Sequence, residues 1–177
     1  MARKSRRTRT PRAAFKLASS DISPNGPIAM EQVFNGFGCS GQNISPELKW
    51  SGAPAETKSF AILVHDPDAP TGGAGWWHWV VVNIPAGTTG LRKDAGTSDG
   101  SALPAGAVQV ATDFGSPGWG GPCPPVGDKP HRYNFTLYAL KTDRIDVQGA
   151  TASLAGYMVN AQAIARAKLT GKFGRKK

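Results

Sequence analysis

The stretch Leu63–Ile84, LVHDPDAPTGGAGWWHWVVVNI, sets two apolar runs on either side of a segment dense in acid, proline and glycine. The first run begins two residues earlier, at Ala61. A strand has period two, so Ile62, Val64 and Asp66 share one face, and Ala61, Leu63 and His65 share the other. The same rule applied to Trp77–Val82 predicts His78 beside Val80 and Val82, with Trp77, Trp79 and Val81 opposite. Each run then ends an apolar stripe in a group that can ionise. Between the runs, Pro67, Pro70, Gly72, Gly73 and Gly75 rule out helix or ladder and predict a loop with exposed backbone N–H groups. Loops mounted on strands in this way commonly carry binding chemistry.

A second stretch has the same build. Gly118–Leu140, GWGGPCPPVGDKPHRYNFTLYAL, is a Gly/Pro loop feeding a strand, and parity places His131, Tyr133, Phe135 and Leu137 on one face. If both strands turn these faces inward, Asp66, His78, His131 and Tyr133 gather at the mouths of the two loops. They supply one acceptor, two titratable donors and a hydroxyl, a set suited to a phosphoryl or carboxylate group. Asp66 limits how negative a guest can be. Binding is expected to tighten as pH falls toward the ordinary histidine pKa of ~6.5, because a protonated imidazole adds a donor and a charge. His65, on the opposite parity, reads as a hydrogen-bonded strand histidine, and Trp76 as the rim of the pocket.

Three motifs carry a resemblance: DPDAP at Asp66–Pro70, WWHWVVVN at Trp76–Asn83, and GGPCPP followed by HRYNFTLYAL. In this order and spacing they resemble the phosphatidylethanolamine-binding proteins, in particular the bacterial Raf-kinase-inhibitor-like branch. The resemblance extends from about Phe15 through NISPELKW at Asn43–Trp50 to the C-terminal region. It implies an anion pocket lined by Asp66, Pro70, His78, His131 and Tyr133. Trp76 at the pocket edge, Gly121 and Pro122 join these in the expected ligand-binding set. It also implies a cis Ala69–Pro70 bond. Animal members carry His-His where this chain has Trp77-His78, so any role of the first histidine is lost here.

Outward from these motifs, short apolar runs punctuated by Gly and Pro predict strands at Phe15–Leu17, Ile28–Val33, Leu48–Trp50, Ser59–His65, Val108–Thr112 and Phe135–Leu140. Gly36, Gly38, Gly41, Asn43 and Pro46 mark an irregular connection, and Pro85–Ala107 a long loop. Leu154–Leu169 has helical spacing and reads as the one substantial helix, ended by Gly171 and Gly174. Many short strands and one late helix predict a mainly β fold, an antiparallel β-sandwich with a C-terminal helix. At 177 residues the chain accommodates one ordinary domain. The expected division is a disordered basic arm over 1–14, a single domain over 15–170, and a basic tail over 171–177.

The formal net charge of +9 is concentrated at the ends. Seven Lys and Arg precede Leu17 and five follow Ala167, while between them twelve acids face nine basic residues, a net of −3. No specific nucleic-acid partner follows from such a map. Two cysteines, Cys39 and Cys123, with no apolar core of a signal peptide behind Ser5-Arg6-Arg7, read as free thiols in a soluble cytoplasmic protein without a transmembrane segment. The expected function is non-enzymatic binding, without a cofactor, of a phosphate-like anion such as a phospholipid headgroup or a phosphorylated ligand. The resemblance adds a kinase or protease as the regulated partner and leaves homodimerisation open. Two alternatives stand beside it: a hydrolase, though no GxSxG elbow is present, and a metal site built from His78, His131 and Asp66.

Overall fold

The computed structural model describes residues 11–177; most of the arm expected over 1–14 lies outside the described residues. The chain runs β1 (Lys16–Ala18), β2 (Asn35–Gly36), β3 (Cys39–Ser40), β4 (Leu48–Ser51), β5 (Ser59–Asp66), β6 (Trp76–Pro85), β7 (Gly90–Leu91), β8 (Val108–Gln109), β9 (His131–Leu140), α1 (Ala152–Gln162) and β10 (Ala163–Phe173). The main sheet has the order β10-β9-β5-β6-β8, a smaller one the order β1-β4-β7, and β2 pairs with β3 as a separate hairpin. All these ladder pairings are antiparallel. This is the mainly β, antiparallel architecture that the strand pattern predicts.

The main sheet is covered on both faces. Ile62, Val64, Trp79, Val81, Phe135 and Leu137 pack toward the small sheet, against Leu17, Leu48, Trp50 and Leu91. Ala61, Leu63, Val80, Val82 and Leu140 pack on the other side against Ala152, Ala155 and Val159 of α1. Burial on both faces explains why β5 and β6 read as nearly unbroken apolar runs. Each fully buried large side chain contributes about 1.5–3 kcal/mol relative to exposure. This central sheet is therefore the stiff platform on which the two loops stand.

Simple alternation holds along β5 and β9 but fails on β6. Opposite β5, the register passes from Val64↔Trp79 to His65↔Trp77, leaving His78 as an extra residue in a β-bulge. A bulge shifts the phase by one residue. Val80 and Val82 therefore face the helix, while His78 turns to the opposite side and meets the Tyr133 ring at 5.1 Å. His78 thus lies with the inner face and not with Val80 and Val82, as alternation had placed it. Trp77 stays on the helix side, near Gly156.

Other expectations need correction. The helix expected over Leu154–Leu169 begins at an N-cap, Thr151, whose side chain accepts from Leu154 N, but stops at Gln162. Residues 163–173 pair along β9 instead. Ala, Arg, Lys and Leu are good helix formers, and their propensity masked a period-two pattern in which Ala167 and Leu169 point in while Arg166 and Lys168 point out. Gly171 ends no helix: it faces Tyr133 across the ladder, and a Cβ there would meet Ile28 at 2.7 Å. The domain's last strand thus passes the boundary expected at 170. Beyond it Arg175 donates Nε–H to Pro124 O at 2.7 Å, so the basic end is docked in part. Ile28–Val33 forms turns rather than a strand, with Gln32 N donating to Ala29 O and Val33 N to Met30 O. The strand expected over Val108–Thr112 is cut to β8.

Cys39 and Cys123 are bonded to each other, with Cα atoms 6.0 Å apart across 84 residues of sequence, so neither is a free thiol. The pairing joins β3 to the second Gly/Pro loop. Among the described residues no peptide bond is cis, so Ala69–Pro70 is trans, and Thr71 N closes the turn onto Ala69 O at 2.8 Å. Among the described residues, no helix is long and apolar enough to cross a membrane.

Candidate ligand-binding site

The two loops enclose a cavity of ≈ 280 Å³ above the inner face of the main sheet. Asp66 at the end of β5, His78 in the β6 bulge, and His131 and Tyr133 at the start of β9 all line it, as do Pro70 and Trp76. The remaining wall is apolar and comes from Phe37, Phe114, Pro124 and Pro125, with Ala69, Thr71 and the bridged Cys123. The sequence reading missed Phe37 and Phe114. They sit in irregular segments with no periodicity, yet Phe114 stands edge-on to His78 at 5.4 Å and to Trp76 at 5.5 Å. Gly121 and Pro122 do not line the cavity. They sit behind its wall, Gly121 N donating to Asn43 Oδ1 at 2.7 Å and Pro122 O accepting from Phe34 N at 3.0 Å. Asn43, with φ of 54°, also donates from Nδ2 to Trp119 O, and so clips the second loop from two sides.

The first loop is fixed by its own acids. Asp66 Oδ1 accepts from Asp68 N at 2.8 Å. Asp68 in turn accepts from the backbone N of Arg132 and, through both carboxylate oxygens, from its guanidinium at 2.8 and 3.0 Å. The Arg132 hydrogen bonds hold the Asp68 carboxyl down to about 2, against the opposing effect of burial. Gly75, at φ +69°, closes the loop where a Cβ would collide with Asp66 O and the His65 ring. His65 turns away from the cavity, its Nε2 bonded to Ala74 O at 2.9 Å and its ring 4.3 Å from Trp77.

The two cavity histidines differ in state. His78 Nδ1 lies 2.6 Å from Gly120 O, and a carbonyl can only accept, so Nδ1 carries the hydrogen. Burial pushes the ring down to about 4, with the Gly120 bond opposing, so His78 is neutral. Its Nε2 has no partner among the described residues and presents a lone pair. His131 has a carboxylate oxygen on each nitrogen, Asp66 Oδ2 on Nδ1 at 2.7 Å and Asp128 Oδ2 on Nε2 at 3.0 Å. Burial opposes its charge, but the bonds to Asp66 and Asp128 outweigh it and hold the ring above the usual histidine range. Both N–H groups of His131 are thereby committed, which departs from its expected role as a free donor to a guest. Tyr133 is fully buried, and its hydroxyl is without a partner among the described residues. Burial pushes its ionisation up, so it stays an O–H donor.

The alternatives can be set against this geometry. His131 offers a metal no lone pair while both its nitrogens donate to carboxylates. Among the described residues no group of three His, Cys, Asp or Glu side chains is placed to hold a metal ion. Cys123, the thiol nearest the motifs, is consumed by the bridge.

Comparison with known proteins follows the same motifs. The sequence profile described as "Phosphatidylethanolamine-binding protein" matches residues 18–174. The chain is 56% identical over 159 residues to UPF0098 protein YbcL of Escherichia coli, covering 89% of this chain and 86% of that one. It is 48% identical over 160 residues to UPF0098 protein YbhB of the same organism, covering 90% and 99%. The crystal structure of E. coli YbcL, described as a new member of the mammalian PEBP family, superposes with a TM-score of 0.89 at 54% identity, covering 92% of this chain and 99% of that one.

Proposed function

The chain belongs to the phosphatidylethanolamine-binding protein family, and we propose that it is a non-enzymatic binder of phosphate-like anions in the cavity between its two loops. The observation that carries this reading is the Tyr133 hydroxyl, fully buried at the cavity wall and without a partner among the described residues. A buried hydroxyl without a partner costs about 1–3 kcal/mol, which a ligand oxygen recovers. Apolar walls stiffened by Pro70, Pro124 and Pro125 hold the guest without much ordering cost. A phospholipid headgroup and a soluble phosphorylated compound share the chemistry that this site reads. By family resemblance, occupancy would regulate a kinase or protease partner. The Cys39–Cys123 bridge favours an oxidising compartment over the expected cytoplasmic one.

Calorimetric titration with inorganic phosphate tests the site. The wild type should bind, and Tyr133→Phe should lose roughly tenfold or more in affinity, the worth of one hydrogen bond to a charged acceptor. His65→Ala should leave binding unchanged. Equal affinity in the wild type and Tyr133→Phe would remove the site assignment.

A further inference from the structure

The hydrogen-bond donors of the cavity wall are not equally well anchored. The Tyr133 hydroxyl stands on β9 in the stiff main sheet, without an acceptor among the described residues. The indole N–H groups of Trp50, Trp77, Trp79 and Trp119 all find protein acceptors, whereas that of Trp76, at the start of β6 and on the cavity wall, finds none among the described residues. A further donor is the backbone N–H of Cys123, which lines the cavity and likewise has no acceptor among them. Buried backbone N–H groups are almost always paired, so this one is left for a guest. Cys123 stands on no sheet. Pro122, Pro124 and Pro125 flank it and have no N–H to tie the loop down, and its side chain is bonded to Cys39 of the β2–β3 hairpin. That hairpin pairs only with itself. Its root is held by Phe34 N donating to Pro122 O at 3.0 Å, but its tip, where Phe37 is 69% exposed, has one hydrogen bond to the rest of the domain, from Arg175 Nη1 to Gly38 O at 3.3 Å.

We propose that the Cys39–Cys123 bridge is a redox-sensitive positioning element of the binding site. Oxidised, it fixes the Cys123 N–H as an oxyanion donor and Phe37 as part of the wall; reduced, it releases both and weakens the hold on the anion. This deepens the anion-binding reading and rests on it. Both cysteines are partly exposed and Cys123 borders the cavity, so a reductant reaches the bridge. A dithiol supplies the step. One of its thiolates attacks a bridge sulfur, forming a mixed disulfide and expelling the other cysteine as a thiolate. Its second sulfur then displaces the first cysteine, so that two electrons and two protons pass to Cys39 and Cys123 while the dithiol becomes a disulfide. Coupling between the two events is reciprocal: an anion that binds the bridged form more tightly must oppose reduction by the same factor.

Calorimetric titration of inorganic phosphate into the full chain, before and after complete reduction by dithiothreitol, provides the test. Kd should rise roughly tenfold or more on reduction, the worth of one hydrogen bond to a charged acceptor, and should recover on reoxidation. Cys39→Ser, which removes the bridge without a reductant, should match the reduced protein. Saturating phosphate should in turn shift the exchange equilibrium with dithiothreitol toward the bridged form by the same factor. Fewer sites at an unchanged Kd, or loss of binding together with the folded circular-dichroism spectrum, would show that the bridge only keeps the chain folded, and would overturn the positioning role. Equal affinity in both redox states, with Tyr133→Phe still weakening it, would overturn the proposal and leave the anion site standing. Failure of the oxidised wild type to bind phosphate would overturn both.

Discussion

His78 and His131 line the same cavity and are equally buried, each 3% exposed, yet their surroundings drive them to opposite states. His78 stands in a strand bulge with a carbonyl on one nitrogen and no partner among the described residues on the other, and burial keeps it neutral. His131 opens its strand between two carboxylates, which keep it charged despite burial. Exposure alone therefore says nothing about the charge of a buried imidazole; the partner decides. On one side of the cavity lies an open lone pair, and on the other a closed ion-pair triad.

The largest effect should come from breaking the closed side. Asp66 and His131 both have side chains 4% exposed, whereas Asp128 is 41% exposed. Removing one partner of a buried pair costs about 3–5 kcal/mol, because the other charge is left uncompensated. An exposed partner is worth about 1 kcal/mol or less. Asp66→Ala should thus lower stability in urea melts by several times as much as Asp128→Ala. Equal losses would mean that the inner and outer carboxylates hold His131 alike, and the description of a buried pair with a surface cap would fail.

The next effect separates the two sides by their attachment. The Cys39–Cys123 bridge lies three residues beyond Gly120, the acceptor of His78, while the His131 side is held by the Asp68–Arg132 pair. Cys39→Ser should cost about 2–4 kcal/mol. Hydrogen exchange should quicken at the amides of Gly120, bonded to His78 O, and Gly121, bonded to Asn43 Oδ1. Exchange at Asp68 and Arg132, whose amides are bonded to Asp66 and Asp68, should stay slow. Uniform acceleration would show that the bridge supports the whole cavity rather than its His78 side.

These two sides were unequally legible in the sequence. Period-two alternation on β5 and β9 brings Asp66, His131 and Tyr133 to one face, because both strands are regular there. It could not place His78, since a bulge is a register event between two strands and leaves no local mark. The state of His131 hangs on Asp128, three residues back in a loop that alternation does not reach. Pairing of Cys39 with Cys123 depends on where the β2–β3 hairpin docks, and Phe37 and Phe114 enter the wall from the same kind of irregular chain. The β10 error has a different origin. Residues 163–170 are intrinsically good helix formers, and the open edge of β9 overrides that preference with a ladder that only the tertiary structure offers.

The smallest effect per unit change is in the pH dependence of stability, where the two histidines act with opposite sign. For His78 the folded pKa, about 4, is below its ordinary value of 6.5. The unfolded chain then binds the extra proton first, so the His78 contribution is complete above about 6.5 and is lost as pH falls through that value toward 4. For His131 the folded pKa is raised, so its contribution is complete below the unfolded value and is lost as pH rises through the folded one. Each ring can change stability by at most about 1.4 kcal/mol per pH unit. Substituting each in turn should therefore tilt the stability profile in opposite directions: without His78 the protein loses less on acidification below about 6.5, and without His131 it loses less on the alkaline side. Urea midpoints across this range, with ring NMR titrations alongside, measure both tilts. If the two substitutions tilted the profile the same way, the opposition between a neutral and a charged imidazole in one cavity would be wrong, and with it the assignment of His78 Nε2 as an acceptor.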